Sequence, residues 1–245
     1  MSETESQIAA NLSTVKESIR ESALAAGRNP DEVTLVAVSK TRSLEEVQQA
    51  LNAGQTVFGE NTVQDALTKI PKLKHTAAEW HFIGHLQSKK SGHIPGNFHW
   101  IHSVDSLKLA RKLSNAVSQH PGLANLNCLL QVNVLEEESK FGLHAGEVTG
   151  FLHELLSLEL PGLNWRGLMT IGAQGNEYQT RQTFVALREL QQRCRSEFEL
   201  ENFDQLSMGM TGDYRIAIEE GATLVRVGTA IFGARDYRKI IKRVR

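Results

Sequence analysis

The sequence predicts an α/β protein, a single (β/α)8 TIM barrel with an extra helix at its N-terminus. Three observations favour this fold class. Eight short apolar segments have the composition of strands, helical patterns separate most of them, and no Pro- or Ser-rich linker divides the chain. A hydrophobic content of 40% in 245 residues suffices for one sizeable core, so we predict one domain over residues 1–245. A doubly wound open sheet is the alternative, but that fold needs no eighth strand.

The elements alternate regularly along the chain. An apolar stripe at helical spacing predicts an opening helix over residues 5–26, formed by Ile8, Leu12, Val15 and Ile19. Gly27 and Pro30 end this helix. A second long helix is predicted for residues 177–197. The strand candidates are 33–39, 56–59, 80–84, 99–103, 127–134, 164–171, 204–208 and 223–228.

The first predicted strand leads directly to a lysine. Residues Val33 to Val38 form an apolar, β-branched run that is typical of a strand buried on both faces. Ser43–Glu46 has the pattern of a capping box that opens the next helix. Lys40 therefore lies at the C-terminal end of a strand, where active sites collect in parallel α/β folds. Desolvation there would free its amine for Schiff-base chemistry, although most lysines that follow a strand are solvated loop charges.

Two glycine-containing segments follow the seventh and eighth predicted strands. Ser207–Asp213 opens a helix for which Thr211 is the expected N-cap, and Gly228–Thr229 ends the eighth strand. Backbone N–H groups at a helix start suit an anion, and TIM barrels commonly bind phosphate in these two loops. An ordinary tight turn explains either segment alone, but their joint placement favours an anion site.

Arg226 is a candidate ligand-facing residue on the eighth predicted strand. It lies two residues before Gly228, so strand alternation points both to one face. Burying an unpaired charge inside a barrel is costly. We therefore expect Arg226 to face a ligand or a buried partner, and the residues alone do not decide between the two.

Composition argues against several classes of protein. A net charge of −1 and a pI near 6.8 give no general attraction to nucleic acid or to a membrane, and no apolar run approaches a membrane span. The segment Met1–Gln7 is polar and acidic, unlike a signal peptide. Cys128 and Cys194 lack metal or disulfide spacing, which suits a reducing cytosol, so we expect a cytoplasmic protein.

A basic cluster near the C-terminus is interpreted as a solvated last helix. Aromatic residues that could stack on bases are nearly absent there, which argues against RNA binding. The cluster consists of Arg235, Arg238, Lys239, Lys242, Arg243 and Arg245.

Five motifs span nearly the whole chain, namely residues 37–40 (AVSK), 58–61 (FGEN), 80–88 (WHFIG and LQS), 207–210 (SMGM) and 225–233 (VRVGTAIFG). In this order they resemble the YggS/PROSC family of pyridoxal phosphate homeostasis proteins. The resemblance implies a fold type III barrel of the alanine racemase type that holds pyridoxal 5'-phosphate (PLP) as a Schiff base on Lys40. It implies that the phosphate is bound by Thr211, Gly228 and Thr229, and that Arg226 faces the pyridine nitrogen. The other pocket residues that it implies are Asn61, His81, Met208 and Met210.

Three other features of the sequence are interpreted separately. His81 and His85 have the spacing of a helical metal pair, but they lie in or beside a predicted strand, where positions four apart cannot share a metal. We therefore predict no metal site. Asn61 is also a plausible cap of the helix that begins near residue 61. Lys140 is a second amine near the predicted mouth of the barrel, and a surface role is the better interpretation.

Two functions remain. The first is a PLP-binding carrier or regulator without turnover, a cytoplasmic monomer whose partners would be PLP and apo PLP-dependent enzymes. The alternative is a PLP-dependent enzyme of the amino-acid racemase type. The resemblance implies that a racemase takes its second base from an added β-domain, whereas this chain ends about twelve residues after Gly233. An arginine at the pyridine nitrogen would also keep that nitrogen unprotonated and weaken the electron sink. Both points favour the carrier.

Overall fold

Parallel strands close into a barrel in the computed structural model, which describes residues 3–137, 140–173 and 175–234. Strand β1 pairs with β2 and with β9, and pairing between β4 and β5 closes the ring. The predicted TIM barrel is confirmed. In chain order the strands are β1 (Thr34–Val38), β2 (Val57–Glu60), β3 (Glu79–Phe82), β4 (Trp100–Val104), β5 (Leu126–Asn133), β6 (Leu143–His144), β7 (Leu163–Met169), β8 (Gln205–Met210) and β9 (Leu224–Val227).

Strand β6 was not predicted. It has two residues and pairs with the end of β5, beside the ring that the other eight strands form. The eight predicted strands all exist, with boundaries shifted by a few residues at most.

Helices cover the outside of the ring. The opening helix and the helix predicted over residues 177–197 are both confirmed, as is the capping box of Ser43 and Glu46. In chain order the helices are α1 (Glu3–Ala25), α2 (Leu44–Asn52), α3 (Val63–Lys69), α4 (Leu107–Ser118), α5 (Val148–Leu156), α6 (Glu177–Glu197), α7 (Tyr214–Glu219) and α8 (Thr229–Phe232).

Helix α1 ties the start of the chain to its last described elements. Its apolar stripe is buried, and each such side chain contributes about 1.5–3 kcal/mol when it leaves water. Asn11 donates a hydrogen bond to the carbonyl of Ile231 at 2.9 Å, and Tyr214 donates one to Ser18 Oγ at 2.8 Å. These contacts hold α7 and α8, which flank the last strand, against the first helix.

Two predicted helix caps are wrong. Helix α7 begins at Tyr214 with Asp213 at its N-cap position, so Thr211 does not cap it. Helix α3 is capped by Thr62, whose hydroxyl accepts a hydrogen bond from the N–H of Asp65, and not by Asn61. In both cases the chain turns later than predicted, which leaves Thr211 and Asn61 in the loops that follow the strands.

A bulge in β8 decides which of its side chains enter the barrel. Ser207 is in register with Leu224 and Met210 with Arg226, so three steps on β8 match two on β9. Gly209 takes up the extra residue at φ +90°, and a Cβ atom there would lie 2.6 Å from Ala217 Cβ. Ser207 and Met210 therefore share the face of Arg226, while Met208 packs in the core between strands and helices.

Two further predictions concern the surface of the molecule. Over the described ranges, no helix is both long enough and apolar enough to cross a membrane. The basic cluster from Arg235 to Arg245 lies outside the described residues.

Candidate functional site

A cavity of about 360 Å³ opens at the carboxyl ends of the barrel strands. This size lies within the range of small-molecule sites, and this end of a TIM barrel is where such sites occur. Seven of the nine predicted site residues line it, namely Lys40, Asn61, Met210, Thr211, Arg226, Gly228 and Thr229. Its other lining residues are Val38, Arg42, Ile83, Met169, Ile171 and Gly212.

Lys40 is held in place by contacts on both of its chain neighbours. It follows β1 by two residues and is partly buried. The carbonyl of Ser39 accepts a hydrogen bond from Lys69 Nζ at 2.9 Å. The N–H of Thr41 donates to Asp65 Oδ2 at 2.6 Å, and Thr41 has a left-handed φ of 65°, which is uncommon for a residue other than glycine. These two hydrogen bonds hold the loop that presents Lys40 to the cavity.

The contacts behind Lys40 form a buried cluster of Ser39, Glu60, Asp65 and Lys69, called here the Lys69 cluster. Lys69 Nζ lies 2.7 Å from Glu60 Oε1 and 3.2 Å from Asp65 Oδ2. Ser39 donates its hydroxyl proton to Glu60 Oε1 at 2.6 Å. Burial raises the pKa of Glu60 to about 7, although the charge of Lys69 opposes the rise.

Arg226 combines buried partners with exposure to the cavity. Its guanidinium donates to Ser207 Oγ at 2.6 Å and to the carbonyl of Thr170 at 2.8 Å. Burial lowers the pKa of Arg226 to about 10, and the nearby charge of Asp213 opposes this change. The guanidinium therefore carries its positive charge at neutral pH. The sequence left open a ligand or a buried partner, and the structure shows buried partners around a group that also lines the cavity.

The two loops predicted to bind an anion meet at the cavity. The N–H of Gly228 points at Thr211 Oγ1 over 3.4 Å, which brings the loop after β8 against the end of β9. Helix α8 begins at Thr229, and the first N–H groups of a helix have no partner within it. A Cβ atom on Gly228 would lie 3.2 Å from both Val38 Cβ and the Val38 carbonyl oxygen. Only glycine lets β9 and β1 approach this closely without a shift.

Asn61 lines the cavity and has an unsatisfied polar atom in its side chain. Its side-chain oxygen is buried and has no hydrogen-bond partner in the structure. A buried polar atom of this kind is costly unless something donates to it. Because Asn61 lines the cavity, a ligand that carries a hydrogen-bond donor fits this position.

His81 and Met208, the other two predicted site residues, do not line the cavity. Met208 is excluded by the bulge in β8, which turns it toward the helices. His81 is 1% exposed and lies within the barrel, hydrogen-bonded to His102 and Glu79.

Sequence reasoning missed Arg42, which lies two residues after Lys40. It donates to the carbonyl of Phe232 at 2.8 Å and also bonds the carbonyl of Gly233. The side chain thereby ties the loop after β1 to the end of α8. The sequence signal that could have identified Arg42 is its position as a basic residue in the loop that carries Lys40. Lys140, the second amine considered, forms an ion pair with Glu137 at 2.6 Å and is partly exposed.

The protein is a closed parallel barrel with a lysine after its first strand and a cavity at its carboxyl end. It belongs to the class of the alanine racemase N-terminal domain, whose family model matches residues 6–236. Within that class, this chain belongs to the pyridoxal phosphate homeostasis protein family. It is 44% identical over 243 residues to the family member of Escherichia coli K12, covering 95% of this chain and 98% of the relative. Identity to the Pseudomonas aeruginosa PAO1 protein is 48% over 234 residues, covering 95% and 97%.

Solved structures agree with this assignment. PipY of Synechococcus elongatus PCC7942, solved with PLP bound, is 32% identical with a TM-score of 0.80, covering 93% of this chain and all of that one. An alanine racemase from Clostridium difficile 630 has a TM-score of 0.71 at 12% identity, covering 94% of this chain and 57% of the racemase. The second likeness concerns the fold alone.

Proposed function

We propose that this protein binds PLP in the cavity and serves PLP homeostasis as a carrier or regulator, with no catalytic turnover of its own. The observation that carries the proposal is the meeting of Lys40, Arg226 and the Thr211–Gly228 contact at one cavity. The homeostasis relatives and the PLP-bound PipY structure support the choice of ligand. When bound, PLP supplies an aldehyde that condenses with a lysine amine, and in enzymes it also serves as an electron sink.

Lys40 is the residue that we assign to the Schiff base. It is a lysine on the cavity lining, and both of its chain neighbours are anchored by the Lys69 cluster. Anchoring fixes the backbone from which the Lys40 side chain extends, so the backbone loses little conformational entropy when the lysine binds a ligand. Lys40 lines the cavity, whereas Lys140 is not among the described residues of the lining, which favours Lys40.

The phosphate is assigned to Thr211, Gly228 and Thr229. Thr211 and Thr229 each supply a hydroxyl group, and Thr229 supplies a backbone N–H group at the start of α8; phosphate oxygens accept hydrogen bonds from such donors. The close approach of Gly228 to Val38 leaves no room for a side chain in this part of the lining. The orphaned oxygen of Asn61 is a further point where the ligand can satisfy a buried polar atom.

Arg226 is the reason for favouring a carrier over an enzyme. Its charged guanidinium is fixed by Ser207 and the Thr170 carbonyl, and we place it at the pyridine nitrogen. A fixed positive charge disfavours a proton on that nitrogen, which weakens the electron sink that transamination requires. Among the described residues that line the cavity, none is an aspartate or glutamate that could hold that proton.

The experiment sets transfer against turnover. PLP-loaded protein is incubated with a panel of amino acids and the products are separated by chiral chromatography. In parallel, it is mixed with an apo PLP-dependent enzyme whose activity reports cofactor transfer. We expect transfer without racemisation, decarboxylation or transamination. Multiple turnovers per site on any amino acid, abolished in Lys40→Ala, would favour the racemase-type alternative.

We further propose that the protein acts in the cytoplasm as a monomer. Cys128 and Cys194 are both buried free thiols, which accords with a reducing compartment. Sedimentation of the PLP-loaded protein at micromolar concentration would show a single species of about 27 kDa. A species of twice that mass would contradict the monomer.

A further inference from the structure

A chain of hydrogen bonds crosses the barrel interior from Arg226 at the cavity to Glu79, the first residue of β3. Arg226 Nη1 lies 2.6 Å from Ser207 Oγ, and Ser207 Oγ lies 2.8 Å from His102 Nδ1. His102 Nε2 is 2.9 Å from His81 Nδ1, and His81 Nε2 is 3.0 Å from Glu79 Oε1. The Glu79 side chain is 42% exposed, whereas the other four members are buried. We call this set the Glu79–Arg226 chain.

The groups at the two ends fix the direction of every bond. A carboxylate only accepts, so His81 carries its proton on Nε2 and donates it to Glu79. A neutral His81 then accepts at Nδ1, which requires His102 to donate from Nε2 and to accept at its own Nδ1.

The remaining two bonds follow from the same rule. The hydroxyl of Ser207 donates to His102, which leaves its oxygen to accept from Arg226, a group that only donates. Burial lowers the pKa of His81 and lowers that of His102 well below its usual value, so both rings are neutral at pH 7.

We propose that Glu79, His81, His102 and Ser207 are positioning residues for Arg226, and that the chain links an exposed carboxylate at one end of the barrel to the guanidinium in the cavity. With its proton committed to His102, Ser207 turns a lone pair toward Arg226. If Glu79 cannot accept, His81 loses the bond that selects its tautomer, and the order of the next bonds is no longer determined. Arg226 then keeps the Thr170 carbonyl and the nearby charge of Asp213 but loses the oriented hydroxyl.

Within the part of the protein that the structure describes, His81 Nε2 has no hydrogen-bond partner other than Glu79. His81 packs on Trp100, with ring centroids 5.4 Å apart. His99, the other histidine near Glu79, accepts the N–H of Trp80 at Nδ1. The order of the chain therefore depends on Glu79 itself. The inference rests on the proposed function only where it assigns Arg226 a contact with PLP, because the Glu79–Arg226 chain consists entirely of contacts between the protein's own residues.

The first test uses the ligand-free protein and nitrogen NMR of the imidazole and guanidinium groups at pH 7. We expect His81 and His102 to be neutral Nε2–H tautomers. Glu79→Leu should change the tautomer signals of both rings and move the side-chain resonances of Arg226. Glu79→Gln keeps a carbonyl acceptor and should restore the wild-type pattern. Glu159→Leu is the matching change at an exposed glutamate that does not belong to the Glu79–Arg226 chain. It should leave the tautomer signals and the Arg226 resonances unchanged.

Three results of this test would overturn the proposal. They are an Nδ1–H tautomer of His102, a charged ring at pH 7, or Arg226 resonances that do not respond to Glu79→Leu.

The second test measures PLP affinity. Ser207→Ala removes the hydroxyl beside Arg226 and should weaken PLP binding about tenfold, roughly the value of one hydrogen bond to a charged group. Ser103→Ala is the matched control, because Ser103 is equally buried and its hydroxyl has no hydrogen-bond partner. Unchanged affinity in Ser207→Ala, or equal losses in both variants, would contradict a positioning role. If the wild type binds no PLP, the proposed function fails. The NMR test still decides whether the hydrogen bonds of the Glu79–Arg226 chain exist.

Discussion

Lys69 Nζ lies 2.7 Å from Glu60 Oε1, and both side chains are almost completely buried behind the loop that carries Lys40. The same ammonium group donates to the carbonyl of Ser39, the residue before Lys40. A buried ion pair is therefore part of the support that presents Lys40 to the cavity. The ion pair joins Glu60 of β2 to Lys69 of α3. The support of Lys40 therefore depends on how these two elements pack against the end of β1.

Lys69→Met is expected to destabilise the protein by about 3 kcal/mol at pH 8. Removing one partner leaves a buried carboxylate without its cation, and the cost stays near the low end for such pairs because Glu60 can take up a proton. Urea unfolding gives the free energy, and Lys72→Met at an exposed position is the control. The double variant Lys69→Met/Glu60→Leu should recover part of the loss. A loss no larger than that of Lys72→Met would show that the pair contributes little.

Stability should fall as the pH rises toward and through 7 because of Glu60. Burial raises the pKa of Glu60 from 4.5 to about 7 in the folded protein, whereas in the unfolded chain it stays near its ordinary value. Between these values the folded state binds more protons than the unfolded state, so raising the pH favours unfolding. The free energy of unfolding of wild type minus that of Glu60→Gln should therefore decrease from pH 5 to pH 7.5. A constant difference over this range would contradict the assignment.

Thr211→Ala should weaken PLP binding and leave pyridoxal binding almost unchanged. A hydrogen bond to a charged group contributes about 1.5–3 kcal/mol, so the loss for PLP is about tenfold or more. Pyridoxal lacks the phosphate and serves as the matched control ligand in the same titration. Equal losses for the two ligands would remove Thr211 from the phosphate site.

Gly228→Ala should both destabilise the protein and weaken PLP binding. The new Cβ would lie 3.2 Å from Val38 Cβ and its carbonyl, and overpacking of this kind costs about 1–3 kcal/mol. Gly212→Ala is the control, because Gly212 also lines the cavity but a Cβ there meets no atom within 4 Å. Thermal unfolding and PLP titration of both variants test this. If Gly212→Ala has the larger effect on either quantity, the close approach of β9 to β1 is not what shapes the site.

The sequence was sufficient where a strong pattern determined the structure. The apolar run before Lys40 and the strand before Gly228 are buried on both faces, and such runs are hard to mistake. Both strands of the β1–β9 pair were therefore predicted correctly. Strand β6 escaped because two residues show no periodicity.

Features that depend on tertiary contacts were not predictable from the pattern. The family resemblance placed Met208 in the pocket, and simple alternation could not correct this because it cannot show the extra residue at Gly209. Nothing in the sequence distinguishes Lys69 from an exposed helical lysine, because lysine is rarely buried without a partner and no partner is visible in the sequence. Its partner, Glu60, comes from the preceding strand, and only the fold brings the two together. The same holds for His81, whose partners come from β4 and from its own strand.

Trapping the ligand on its lysine shows directly whether Lys40 forms the Schiff base with PLP. PLP-loaded protein is reduced with borohydride and digested, and the labelled peptide is identified by mass spectrometry. We expect the label to lie on Lys40, Lys40→Ala to lose the visible absorption band, and Lys140→Ala to keep both label and band. A label found mainly on Lys140 or another lysine, with the band retained in Lys40→Ala, would contradict this assignment.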